Sequence, residues 1–484
     1  MFDNIKPIPL HRVFHGIRFK VNEDWASGID ALLFFYTLCP SISQKFATFA
    51  PTNKRISKVT AMNIKLRLIV MNFLQFAVWG AYLTSMGSYL VQVGLAKNIA
   101  LFYAIQGFAS LFMPALVGIV ADRWVPAQRM LGFCHLIGGL FMVGTGYYGM
   151  LSGSAPSFAM LFSLYAVSVA FYMPTIALSN SVAYNALERE GLDTVKAFPP
   201  IRIFGTIGFI CTMLAVDALG YQTTYAQFLV SGVLGILLGL YANTLPACPV
   251  NRGGERKSLV EALGLKAFTL FKQRKMAIFF LFSMLLGVSL QITNGFANPF
   301  ITTFKEIPEY AGSFGANHAN ALISLSQCSE TLCILLIPFC LRRFGIKRVM
   351  LIAMFAWVLR FGLFATGNPG GGVWMFILSM IVYGVAFDFF NISGSLFVDK
   401  ETDRSIRSSA QGLFMIMTNG LGATVGTLCA QAVVNHFVYN LPPDTPGQLV
   451  IEGWSHCWYI FAAYALVVGV LFAWIFQYKH TPAD

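Results

Sequence analysis

The chain has 484 residues, of which 56% are hydrophobic and only 11% charged, and its mean hydropathy is +0.66. Soluble domains carry about 25% charged residues, so a water-soluble globular protein is excluded and a polytopic membrane protein is implied. The net charge of +12 is spread over short loops between apolar segments rather than gathered in one patch, which reads as a topology signal and not as a nucleic-acid surface.

Residues 1–61 come first and do not fit a membrane helix. The apolar run ALLFFYTLC (31–39) is too short to span, Asp24 and Asp30 precede it, and no small-residue cleavage site follows. Met62 opens MNIKLRLIVMNFLQF, a natural start. The extension is therefore expected to be either a mis-called translation start or a loosely attached cytoplasmic segment.

From there, apolar windows near the ~20 residues needed to cross a bilayer recur twelve times, starting near residues 66, 97, 129, 157, 201, 225, 275, 317, 347, 371, 409 and 455. Basic residues alternate by loop. They precede the first helix (Lys54, Arg55, Lys58, Lys65, Arg67) and follow each even-numbered one, as at Arg123 and Arg129, Arg189 and Lys196, Arg342 to Arg348, and Arg404 and Arg407. The odd-numbered loops hold only Lys97 and Lys305. The positive-inside rule then puts both termini in the cytoplasm. The longest polar break, residues 246–274, divides the helices six and six and reads as a linker with a surface helix near 258–271. Basic turns recur at matching places, GIVADRWVPAQR (118–129) and CLRRFGIKR (340–348). Two bundles, 62–245 and 275–480, are thus predicted, as in the all-α, twelve-helix major facilitator fold, whose site lies between the halves. Gly118, Asp122, Arg123 and Arg129 resemble the signature of that superfamily's second-to-third turn.

Polar groups inside apolar helices are costly, roughly 2.5–3.5 kcal/mol for a charge at the helix centre, and so point to function. In the fifth helix Arg202, Thr206 and Phe209 share one face. Arg202 is expected near the positive end of that helix's dipole, where a cation needs an anionic partner or must snorkel to the interface. Gln291 and Asn294 are spaced i, i+3 in the seventh helix, and Gln327 and Glu330 likewise in the eighth. The amides suit either a binding cavity or interhelical hydrogen bonds. The tenth helix carries Tyr383, Phe387, Asp388 and Asn391 on one broad face, and Arg360 in the ninth is a possible ion-pair partner for Asp388.

Enzyme signatures are absent: there is no GxxxxGKS, HExxH or GxSxG. The nine cysteines show no CxxC pair or metal spacing, and of seven histidines only His135 falls within a predicted span. No catalytic residue, metal or cofactor is expected.

Several long stretches carry a family likeness. FLQFAVWGAYLTSMGSY (73–89), FMPALVGIVADRW (112–124), FPPIRIFGTIGFI (198–210), KMAIFFLFSMLLGVSLQITN (275–294), LSMIVYGVAFDFFNISGSLFV (378–398) and SAQGLFMIMTNG (409–420) closely resemble the nucleoside:H+ symporter family of the major facilitator superfamily. The resemblance covers residues 62–480 and leaves out the first 61. It implies import of nucleosides with protons across a bacterial inner membrane. It further implies that Arg202, Thr206, Phe209, Gln291, Asn294, Gln327, Glu330, Tyr383 and Phe387 line the substrate site, with Asp388 beside them.

Such side chains match a nucleoside's chemistry. Phe209 and Phe387 can stack on a base, a contact worth about 1–3 kcal/mol elsewhere. The three amides both donate and accept, suiting purines and pyrimidines alike, and Glu330 can accept from ribose hydroxyls. Proton coupling requires a titratable group in the cavity, and Asp388 is the first choice with Glu330 second. The competing expectations are a proton-coupled sugar or oligosaccharide carrier of the same fold and a non-transporting membrane enzyme or receptor.

Overall fold

A computed structural model describes residues 53–248, 265–403 and 406–478. The calls on residues 1–52 and on most of the linker, and the side chains of Asp122 and Arg123, lie outside the described residues. Within the described part of the linker, Leu265–Lys272 is a 3-10 helix.

Apolar length and punctuation by glycine and proline set the helices. α1 spans Asn53–Gly80 and resumes, after a turn at 81–85, as Met86–Gln92. α2 (Ile99–Arg123), α3 (Ala127–Ser152), α4 (Phe158–Arg189), α5 (Thr194–Ala218) and α6 (Ala226–Ala242) complete the first six. α7 is Arg274–Thr303. The continuous helix Ala319–Thr366 is two arms, α8 (319–344) and α9 (346–366), because Gly345 sits at φ 76°, ψ 167° between them. That left-handed φ is open to glycine at no steric cost. α10 (Val373–Glu401) follows. α11 runs from Arg407 to Tyr439 with π-helical turns at Ile416–Gly422 and Asn435–Tyr439, and α12 is Gly447–Ile475.

Among the described residues, nine helical stretches are long and apolar enough to cross a membrane, one of them being the double arm Ala319–Thr366. Adding the 17-residue α6 and the first helix gives twelve, as the sequence predicts. Large apolar side chains remain exposed along outer faces, as at Leu332, Leu335 and Phe339 on α8. A water-soluble protein would bury such a stripe; here hydrocarbon covers it.

Three helix boundaries differ from the predicted ones. α1 starts at Asn53, well ahead of the expected 66, so residues 53–61, expected to lie outside the first helix, are helical. α5 starts at Thr194, upstream of Pro199 and Pro200. Proline is a frequent helix opener, but here the helix continues through both rings, so Arg202 sits beyond the first turn and not at the positive dipole end. α12 starts at Gly447, eight residues before the expected 455. This places His456 inside α12, and His436 lies in the closing π turn of α11, so His135 is not the sole histidine within a span.

Close crossings between helices are made by glycines. A Cβ on Gly208 would stand 2.2 Å from the Phe73 carbonyl oxygen, and one on Gly80 2.3 Å from that of Phe209. α1 and α5 therefore touch backbone to backbone, which fixes where the α5 polar face points.

Candidate functional site

The site is built from α5 of the first half and α7, α8 and α10 of the second. α5 packs on the α8–α9 helix across the division, and this brings Arg202 within electrostatic reach of Glu330. On the far side, α10 lies hard against α8. A Cβ on Gly384 would fall 2.6 Å from the Ser329 carbonyl oxygen, and the Ser329 hydroxyl donates to the carbonyl of Ile381. Glu330 is the next residue after Ser329, and Asp388 lies one turn beyond Gly384. The crossing thus sets the two carboxylates where each feels the other's charge.

Tyr383 stands between them, in electrostatic contact with both carboxylates, and Gln327 reaches toward its hydroxyl. Its ring stacks on Phe387 one turn further on, with centroids 5.7 Å apart and planes 6° from parallel. Phe387, with Trp357, Asn391 and Asn419, borders a small cavity. On α7, Asn294 Nδ2 donates to Gln291 Oε1 at 3.0 Å, so that pair faces one way as a unit. Phe209 is buried where α5 backs onto Gly80, and Thr206 is half-buried on the same helix.

The possible pairing of Arg360 with Asp388 is not made. Arg360 is 2% exposed, donates through Nη1 to the Ser379 carbonyl at 2.6 Å, and lies 4.7 Å from the Tyr383 ring centroid. Its short reach to α10 carbonyls, rather than to a carboxylate, makes it a brace between α9 and α10. Asp388 keeps one buried oxygen, Oδ2, with no hydrogen-bond partner. A buried polar atom without a partner is costly.

Residues 62–481 match the model of the nucleoside H+ symporter family. The chain belongs to that family. Among relatives of this symporter, the xanthosine permease of Escherichia coli (strain K12) is 47% identical over 424 residues, covering 87% of this chain and 98% of its own length. The nucleoside permease NupG of the same organism is 45% identical over 423 residues, 87% of this chain and 97% of its own. A crystal structure of the nucleoside transporter NupG superposes with a TM-score of 0.78 at 44% identity, covering 86% of this chain and all of the other. The symporter is therefore an all-α, multi-pass membrane transporter of the major facilitator fold, with two six-helix bundles, and not an enzyme.

Sequence reasoning missed one part of the symporter. At the end where α1 turns at 81–85, polar side chains join the two halves. Ser88 donates to Asn298 Oδ1. Asn298 Nδ2 donates to Asn320 Oδ1 at 2.7 Å, and Thr84 Oγ1 donates to the same oxygen at 3.0 Å. Gln222 Nε2 reaches the Asn317 carbonyl at 2.7 Å, and His318 Nδ1 meets Asp217 Oδ2 at 2.7 Å. Gln431 bridges α11 to Ala96 and Ala100 at the start of α2. The signal was present, because Gln222, Asn298 and Asn320 are amides at apolar helix ends, but nothing in their spacing pairs them across halves.

Proposed function

We propose that this symporter imports purine and pyrimidine nucleosides with protons across a bacterial inner membrane, with both termini cytoplasmic. The two bundles are then 62–245 and 275–480, with residues 246–274 the linker and membrane lipid their surroundings. Nucleic acid is no partner. The observation that carries the reading is the enclosure of Glu330 and Asp388 together, facing Arg202 across the division of the halves.

In this reading Arg202, Thr206, Phe209, Gln291, Asn294, Gln327, Glu330, Tyr383 and Phe387 bind substrate. The stacked Tyr383 and Phe387 rings present an aromatic face for the base, the fixed amide pair on α7 serves its polar edge, and Glu330 accepts from ribose hydroxyls. Two carboxylates facing one cavity repel when both are charged. A proton on Asp388 removes that repulsion and neutralises the cavity, which lets the loaded carrier change facing. Each proton moving through 100 mV supplies about 2.3 kcal/mol, enough for a gradient of roughly 50-fold.

The test is uptake into proteoliposomes with and without a pH gradient. Asp388→Asn is expected to abolish uridine accumulation while preserving uridine binding and counterflow exchange. Gradient-driven accumulation by that variant would overturn the assignment.

A further inference from the structure

Arg202 carries its charge inside the membrane, yet among the described residues none makes a hydrogen bond to its guanidinium. Its partner beneath is the ring of Phe76: the guanidinium carbon lies 3.8 Å from the ring centroid. We propose that Phe76, on α1, is a positioning residue for transport, a seat that holds the Arg202 guanidinium toward Glu330 and the incoming nucleoside. The proposal rests on Arg202 being a substrate-binding group.

Three features show that the seat is built. The ring is 8% exposed, while Arg202 above it is only half-buried. The stack therefore turns one face of the guanidinium to the Phe76 ring and leaves the group partly exposed.

Next, Gly205 on α5 leaves the space that the stack occupies. A Cβ there would lie 2.6 Å from Phe76 Cδ2 and 2.8 Å from Arg202 Nη1. Any larger residue at 205 would push ring and guanidinium apart.

Finally, the stretch of α1 that carries Phe76 is pinned. The Tyr172 hydroxyl donates to the Gln75 carbonyl at 2.7 Å, Gln75 Nε2 donates to Thr175 Oγ1 at 2.8 Å, and His135 Nε2 meets Gln75 Oε1 at 2.7 Å. The ring is thus fixed from α3 and α4, and the arginine is fixed by the ring.

The physical reason for an aromatic seat is selectivity of partner. A carboxylate under Arg202 would neutralise it and compete with Glu330 and with substrate. A ring face attracts the cation by its quadrupole and leaves the charge unspent. It also restrains a long side chain whose free rotamers would otherwise have to be ordered at each binding event.

The experiment is uridine binding to the purified full-length protein by calorimetry, with uptake kinetics in proteoliposomes. Phe76→Leu keeps an apolar side chain but loses the quadrupole, and is expected to raise Kd and KM about tenfold with maximal velocity little changed. Phe76→Trp is expected to restore both, and Gly205→Ala to weaken binding in the same direction. In an Arg202→Gln background, Phe76→Leu should add nothing, an outcome that a general packing defect would not produce; thermal unfolding of each variant reports on folding separately. If Phe76→Leu leaves Kd within twofold while Arg202→Gln abolishes binding, or if the two effects simply add, the seat is wrong and the site reading stands. If Arg202→Gln itself binds uridine normally, the site reading fails and the seat with it.

Discussion

Glu330 and Asp388 are both carboxylates of the same enclosure, but their surroundings differ, and the proposed function gives them different tasks. Glu330 faces Arg202 from the opposite half and is half-buried, whereas Asp388 is 5% exposed and retains an unpartnered oxygen. Substitution should therefore separate them. Glu330→Gln removes a charged acceptor, a hydrogen bond of about 1.5–3 kcal/mol, and is expected to weaken uridine binding by roughly ten- to hundredfold. Asp388→Asn is expected to leave binding nearly intact. Calorimetry on the two variants checks this, and equal losses in both would refute the division of labour. The residues of the proposed site could be picked out because a charge or amide is expensive in hydrocarbon, so Arg202, Gln291, Glu330 and Asp388 stand out of the sequence. Side-chain direction was not legible. Arg360 looked equally suited to Asp388, and only the packing of α9 on α10 turns it to the Ser379 carbonyl. Phe76 gave no signal at all, since one phenylalanine among the 45 of this chain reads as lipid or core contact.

The twelve helices could be counted in advance because the bilayer fixes their length; their ends could not. α5 was expected to start near residue 201, yet it starts at Thr194 and runs through Pro199 and Pro200, and α12 was expected near 455 although it begins at Gly447. Which glycines matter was equally hidden, because close approach is a property of pairs of helices. The structure separates them. At Gly208 an added methyl would meet the Phe73 carbonyl at 2.2 Å, and backbone has no means of yielding there. Gly208→Ala is expected to force α1 and α5 apart at a cost of about 1–3 kcal/mol and to displace the α5 polar face from the cavity. Gly362, inside α9, has nothing within 4 Å of its would-be Cβ, and alanine is the better helix former by about 1 kcal/mol. Gly362→Ala is expected to leave stability unchanged or raised. Thermal unfolding in detergent should show opposite signs for the two substitutions, and a similar loss for both would remove the close-approach account of α1 on α5.

For the molecule as a whole, the side-chain hydrogen bonds that join the halves among the described residues gather near the 81–85 turn of α1, which holds the halves together there. Alternating access by the rocking of two bundles requires those contacts to break once per cycle. Asn298 is central to them: it is fully buried, accepts from Ser88, and donates to Asn320 and Gln222. Loss of its side chain removes the two bonds that cross the halves, to Ser88 and Gln222, of about 1 kcal/mol net each, against an equilibrium in which every 1.4 kcal/mol is tenfold. Asn298→Ala is accordingly expected to raise the population opened at this end by at least about tenfold. Leu219 in the first half and Leu449 in the second are both exposed near this end, and spin labels there, in a cysteine-free background, report the separation of the halves by pulsed electron resonance. A longer-distance population should grow in Asn298→Ala and shrink again when uridine is added at a pH that favours the closed carrier. An unchanged distance distribution would mean that apolar packing of α2 on α11 and α1 on α7, not the polar clasp, holds this end shut.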